Sequence, residues 1–260
     1  MSAPAILALK LLLTHLLVGV ASLAGRRWGP GIGGWLVGIP FTSGPVAFFL
    51  ALSPGPRFAA AAAAGIMAGT ASQAAFCLSY AWVAQRRGWA LSLVAATAGF
   101  LVATLFLNLV SFATWIVFAA MILVLVVSIA LMPRRASLGR EAIVFPSWDI
   151  PARMAVATVF VVVLTAVAPL LGPRLAGLLA PFPLYGTVLA TFAHRIQGAA
   201  PAVGVLRGLL LGLFAFAAFF MTLAELLATE GIAVAFAAAV VVVLAVQGAS
   251  LAVGRRLRIA

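Results

Sequence analysis

GPGIGGWLVGIPFTSGPVAFFLALSPG, Gly29 to Gly55, and GPRLAGLLAPFPLYGTVLATFAHRIQG, Gly172 to Gly198, decide the fold of this chain. Each is an apolar segment of membrane length, interrupted near its middle by proline, glycine and small hydroxyl residues, and such interruptions unwind a transmembrane helix. The two superpose without a gap at an offset of 143 residues. Extended over Gly29–Phe76 and Gly172–Phe219, the register gives 14 identities in 48 positions, where so biased a composition gives about 4 by chance. The matches include Pro30/Pro173, Gly34/Gly177, Pro40/Pro183, Gly55/Gly198, Gly65/Gly208 and Gly69/Gly212. An internal duplication is therefore centred on a broken helix.

Composition sets the solvent. Of 260 residues, 66% are hydrophobic and 8% charged, with a mean hydropathy of +1.27. These values describe an integral, polytopic, all-α membrane protein whose main partner is the lipid bilayer. The net charge of +12 comes mostly from arginines between apolar segments, a pattern of membrane orientation rather than of nucleic-acid binding. Cys77 is the only cysteine and the two histidines lie far apart, so neither an intrachain disulfide nor a metal site is expected. The first apolar stretch runs to membrane length without a small-residue cleavage site, so no cleavable signal peptide is expected.

Nine spans are predicted: about 3–24, 32–53 (broken), 58–84, 89–107, 109–132, 154–171, 175–193 (broken), 203–227 and 232–253. Gly65 and Gly69 in the third form a GxxxG step that admits a close neighbour. With the N-terminus outside, arginines 26, 27, 86, 87, 134, 135, 140, 153, 195, 255, 256 and 258 are cytoplasmic. Arg57 and Arg174 are external, and Lys10 and Arg207 lie within or near the membrane. The offset carries spans 1–4 onto spans 6–9. Span 5 has no partner, and its single crossing delivers the second copy upside down. The expected architecture is an inverted-topology repeat, with 1–108 as the first four-span unit and 109–132 as the inverting linker helix. A cytoplasmic loop follows at 133–153, then 154–260 as the second unit, each unit with a discontinuous second helix.

The second copy, in particular AGLLAPFP (Ala176–Pro183) with Tyr185 and Ala190 beyond it, resembles the GlpM family of small bacterial inner-membrane proteins. Ala176, Gly177, Leu178, Phe182 and Pro183 fit the family's Ala-Gly-Leu to Phe-Pro stretch, and Gly34, Leu36 and Pro40 fit it less closely. The resemblance implies single four-span units, some of dual topology, of which this chain looks like a fused pair in the inner membrane. It also links the family to glycerol-phosphate metabolism and envelope polysaccharide production. The chain departs from the family in length, in span 5, and in carrying His194 four residues beyond the family's histidine position.

Both interruptions fall at the bilayer midplane when the spans are centred. Backbone groups released at Pro40, Thr42, Ser43, Gly44 and Pro45, and at Pro183, Tyr185, Gly186 and Thr187, must be buried in protein or line a wet cavity. Pro45 suits the first turn of an outer half-helix capped by Ser43 or Thr42, with Thr187 in the same role in the other copy. Two opposed half-helix N-termini then face one site that favours a polar or anionic group; kinks that only help the helices cross are the competing reading. Gln73 lines that cavity or bonds neighbouring helices. Glu225 is the one carboxylate inside a span and, with Lys10, the candidate for coupling, against the reading that it reaches the surface.

No phosphate loop, metal-protease or nucleophile motif is present, so neither enzyme chemistry nor a cofactor is expected. The predicted function is inner-membrane secondary transport of a small polar or anionic solute by alternating access around the two broken helices. The protein would act as a monomer with an internal pseudo-two-fold or as a homodimer. A non-transporting scaffold or accessory subunit of envelope assembly is the alternative, and lipid translocation a third.

Overall fold

The structure, a computed structural model, describes residues 3–40, 43–52, 55–109, 113–133, 146–159 and 181–256. Among them every regular element is helical: α1 (Ala3–Trp28), α2 (Pro30–Leu36), α3 (Ser43–Leu52), α4 (Pro56–Ala84), α5 (Trp89–Leu107), α6 (Thr114–Leu131), α7 (residues 149–159), α8 (Leu184–Gln197), α9 (Ala199–Leu226) and α10 (Ile232–Arg256). Five of them, α4, α5, α6, α9 and α10, contain stretches long and apolar enough to cross a membrane. Burial sorts these five: 56% and 67% of the most apolar windows of α4 and α9 are buried, against 17–22% in α5, α6 and α10. Thus α4 and α9 form the core, and α5, α6 and α10 turn large apolar side chains such as Val102, Phe106, Leu123 and Leu244 outward, where lipid is their natural solvent.

The second expected span is broken between Leu36 and Ser43. Pro40 has no N–H to give the Leu36 carbonyl, and its ring crowds that carbonyl, so the helix stops there. The Gly38 and Ile39 N–H groups instead close tight turns onto Trp35 and Leu36 (3.2 and 3.3 Å), and α3 restarts with the Gly44 N–H on the Pro40 carbonyl at 2.8 Å. The Trp35 carbonyl also accepts from Gln247 Nε2 of α10 (2.7 Å). The Trp35, Leu36 and Pro40 carbonyls at the break are thus paired inside protein, as an apolar surrounding favours. Downstream, Gly55 and Gly198 occupy matched positions before α4 and α9, with φ of 130° and 94°. Glycine is the residue that takes this conformation without strain.

Close approach of backbones fixes how the halves meet. A Cβ at Gly208 would collide with the Gly31 carbonyl, one at Gly34 with Val205, and one at Gly38 with Gly212. Along α2 and along α9 the contacts advance together (31 with 208, 38 with 212), so the two helices run parallel. By contrast α1 and α7 run antiparallel. His15 Nε2 lies 3.4 Å from Thr158 Oγ1, Gly19 faces Met154, and Arg26 reaches Asp149.

Two of these contacts carry the sequence offset into space. His15 and Thr158 are 143 residues apart, so a position touches its own counterpart. Gly38 meets Gly212 while Pro181 presses on Gly69, and the shift exchanges the two contacts, since 38 becomes 181 and 69 becomes 212. Of the expected GxxxG pair, Gly69 has this close neighbour; nothing among the described residues lies within 4 Å of a Cβ at Gly65.

The expected loop at 133–153 ends earlier than predicted, because α7 is helical from residue 149. Asp149 explains the start: a carboxylate suits a helix N-terminus, and Pro151 is tolerated in the first turn. Asp149 is fully buried, accepting from Arg153 Nε (2.7 Å) and Arg26 Nη2 (2.9 Å). Removing one partner of such a buried pair costs about 3–5 kcal/mol, so this cluster fastens α7 to the end of α1. Arg207 Nη2 donates to the Pro133 carbonyl at 2.7 Å, tying α9 to the end of α6.

Candidate functional site at the two helix breaks

One cavity of about 40 Å³ is walled by Pro40 and Ser43 at the break between α2 and α3, by Pro183, Tyr185 and Gly186 where α8 begins, and by Gln73 from α4. These are six of the ten residues expected at the site. Ile39, Phe182, Leu209 and Phe216 close much of the rest. Four pairs in this wall are related by the 143-residue shift: Ile39 with Phe182, Pro40 with Pro183, Ser43 with Gly186, and Gln73 with Phe216. A water needs about 10–15 Å³ of such space. The cavity therefore accommodates about three or four water-sized groups.

Most of its lining side chains are apolar, yet the surface they and the backbone expose in it is more polar than apolar, so its polar atoms are decisive. Gln73 is 4% exposed, and its Nε2 has no hydrogen-bond partner among the described residues. A buried amide donor without an acceptor costs about 1–3 kcal/mol, so a group that accepts from Gln73 would recover that loss. Ser43 is buried at the first turn of α3 on the same cavity. The aromatic wall is held from outside by edge-to-face contacts of Phe182 with Phe76 and Phe100, at 5.6 and 5.2 Å between centroids.

The other expected residues fall elsewhere. Pro45 lies in the first turn of α3, where it was placed from the sequence; Gly44, read as part of the interruption, also belongs to α3, and Tyr185, Gly186 and Thr187 belong to α8. The reason is that proline is well placed in a helix's first turn, where its missing N–H would be unpaired in any case. Thr187 is not a helix cap. Its Oγ1 donates to the Pro183 carbonyl one turn back (2.9 Å), and α8 begins after Pro183 without a side-chain cap. Gly44 lies beneath the Phe219 ring. Thr42 and the Lys10 side chain lie outside the described residues. Glu225 is exposed one residue before the end of α9 and takes no part in the cavity wall.

Of the histidines, His194 pairs its Nδ1 with the buried Tyr80 hydroxyl at 3.2 Å, a link between α4 and α8. Ser72 accepts from Thr104 Oγ1 at 2.8 Å and joins α4 to α5. Phe216 was the wall residue that sequence could have supplied, being the counterpart of Gln73. No group of three or more histidine, cysteine or acidic residues suited to a metal occurs among the described residues. No protein-family model, curated protein or solved structure matches the chain.

Proposed function

We infer that this chain is an inverted-repeat secondary transporter, in which a small polar or anionic solute binds between two broken helices and is released by alternating access. The observation that carries the reading is the single cavity between the α2–α3 break and the start of α8, walled in part by residues that the internal duplication matches, with the unpartnered amide of Gln73 in its wall. The antiparallel run of α1 and α7, which are counterparts, and the parallel run of α2 and α9 support inversion of the second copy. A tandem repeat of unchanged topology would set α1 parallel to α7.

In the described conformation the cavity holds a few waters only, so solute entry requires the α2–α3 and α8 breaks to part from α4 and α9. The glycine contacts at Gly38–Gly212 and Gly69–Pro181 are surfaces on which such rocking can occur without meshing side chains. In this reading the inner membrane is the site of action, and the fused GlpM-like pair is its origin. Glu225, at the protein surface, is a weaker candidate for coupling than the sequence alone suggests.

Gln73→Leu tests the reading. The change keeps the volume and removes a buried unsatisfied donor, so the protein should be as stable as the parent or more so by about 1 kcal/mol. In proteoliposomes, and in a thermal-shift screen of small carboxylates, phosphates, polyols and amino acids, the parent should respond to one solute class and the variant should not. A Gln73→Leu protein that retains the parent's solute response would remove the amide from the site.

A further inference from the structure

The end of α8 that lies away from the midplane cavity is joined to α4 by the hydrogen bond between His194 Nδ1 and the Tyr80 hydroxyl, at 3.2 Å. Tyr80 is fully buried, whereas the imidazole is half-buried beside the exposed Arg195. A continuous run of rings leads from this bond to the cavity. His194 meets the Tyr80 ring edge-on at 5.8 Å between centroids, Tyr80 stacks on Phe76 at 6.4 Å, and Phe76 meets Phe182 of the cavity wall at 5.6 Å. The Thr191 hydroxyl, one turn before His194, is within reach of Tyr80 but buried without a well-formed hydrogen bond. Under the 143-residue offset Tyr80 corresponds to Leu223 and His194 to Ala51, so the matching place in the other copy holds no titratable pair.

We propose that His194 is a proton-binding site that controls the cavity from this end. With the imidazole neutral and its proton on Nε2, Nδ1 accepts from the Tyr80 O–H and the latch is closed. A proton taken from solvent at Nδ1 removes that acceptor. The Tyr80 hydroxyl then turns to Thr191 Oγ1, and the imidazolium, costly to keep out of water, moves outward. The end of α8 leaves α4, Phe76 and Phe182 lose their backing, and the cavity opens to this side. Histidine is the side chain whose ordinary charge change falls between pH 5 and 8. Among the elements around this end of α8, α2 and α5 carry no ionisable side chain. Arg26 and Arg27 stand on α1, Asp149 and Arg153 on α7, Cys77 on α4, Arg86 and Arg87 in the turn after it, and Arg207 on α9 bonds the Pro133 carbonyl. Arg195 on α8 itself lies over the Trp89 ring at 5.8 Å. Arginine keeps its charge across that range. Because Ala51 and Leu223 do not titrate, acid acts on one side of the duplication only. The consequence for transport rests on the reading above; the latch itself does not.

Two readouts on the full-length protein in detergent test the latch without transport. In the first, His15→Gln leaves one histidine, and NMR of the isotope-labelled imidazole gives its protonation midpoint. Tyr80→Phe keeps the run of rings and removes the hydroxyl that favours the neutral form, so the proton affinity of His194 should rise about three- to tenfold. In the second, Ser43→Cys in a Cys77→Ala background reports access to the cavity. Its modification by a small methanethiosulfonate reagent, corrected for the thiolate fraction, should quicken about tenfold as His194 takes up its proton. His194→Gln, neutral at every pH, should stay slow, and His194→Arg should be fast throughout. Tyr80→Phe and His194→Gln keep the test decisive if His194→Arg does not fold. An unchanged midpoint in Tyr80→Phe, or acid-dependent access that persists in His194→Gln, would overturn the proposal. Transport with access that ignores acid refutes the latch and leaves the transport reading standing; acid-dependent access, lost in His194→Gln, without any transport does the reverse.

Discussion

Leucine at Ser43 or at Gly186 is expected to abolish solute-dependent stabilisation and transport in a protein that still folds. The two positions are counterparts in the duplication and line the same cavity from opposite breaks. A side chain at Gly186 first meets the Leu209 methyl, with a Cβ placed 2.6 Å from it, and a methyl at the end of a flexible chain can move into the cavity. Overpacking of this kind costs about 1–3 kcal/mol, well short of unfolding a bundle whose core is α4 and α9. The cavity has room for only a few water-sized groups, so a leucine side chain entering it leaves little space for a solute. Either change alone should then be close to complete in its effect, and the double variant should add little. Leucine at Val127, on the exposed face of α6, is the matched control and should be nearly silent. Folded Ser43→Leu and Gly186→Leu proteins with full activity would reduce the breaks to packing hinges and bring the scaffold reading forward.

Deletion of α6 is expected to have the second largest effect, because the helix has two roles. In the proposed architecture it supplies the odd crossing that turns the second copy over. It also packs against the core through the fully buried Leu125 and is pinned at its end by Trp82 Nε1 on the Leu131 carbonyl and Arg207 on the Pro133 carbonyl. Without Thr114–Leu131, a cysteine at Glu230 should lose external labelling and the folded yield should collapse. Replacing α6 with an unrelated leucine-alanine span separates the roles. Parity is restored, so external labelling at Glu230 should return, while the lost packing still lowers Tm. External labelling that persists after simple deletion would show that α6 does not set the orientation of the second copy.

The helices were legible in the sequence wherever the chain is punctuated. Gly88 and Asn108 bracket the fourth span, and α5 occupies the expected 89–107. The break between α2 and α3 was legible as well, since a proline and glycine cluster in an apolar run has few other meanings; for its counterpart, the residues before 181 lie outside those described. What the sequence displaced was the restart of each helix. It put Ser43 and Gly186 in the unwound segment, whereas both sit in the first turns of α3 and α8; Pro45 was read in a first turn, and the helix begins two residues before it. The Asp149 cluster was hidden for a different reason. Arg26 and Arg153 read in the sequence as orientation signals at the cytoplasmic edge, and a pair 123 residues apart across Arg26 and Asp149 leaves no local signature. Only the i,i+4 spacing of Asp149 and Arg153 hinted at a helix start inside the expected loop.

The central claim is that the second copy of the duplication lies in the membrane upside down relative to the first, so that matched breaks face one cavity. Arg87 and Glu230 test it most directly. They are counterparts under the offset, both are exposed, and they come just after the core helices α4 and α9. Cys77 is fully buried and can be replaced by alanine to give a cysteine-free background. In that background, Arg87→Cys and Glu230→Cys are labelled separately with a membrane-impermeant maleimide, in intact cells and in inverted vesicles. Inversion predicts that position 230 is labelled from outside and position 87 only in inverted vesicles. Labelling of both positions from the same side would contradict it.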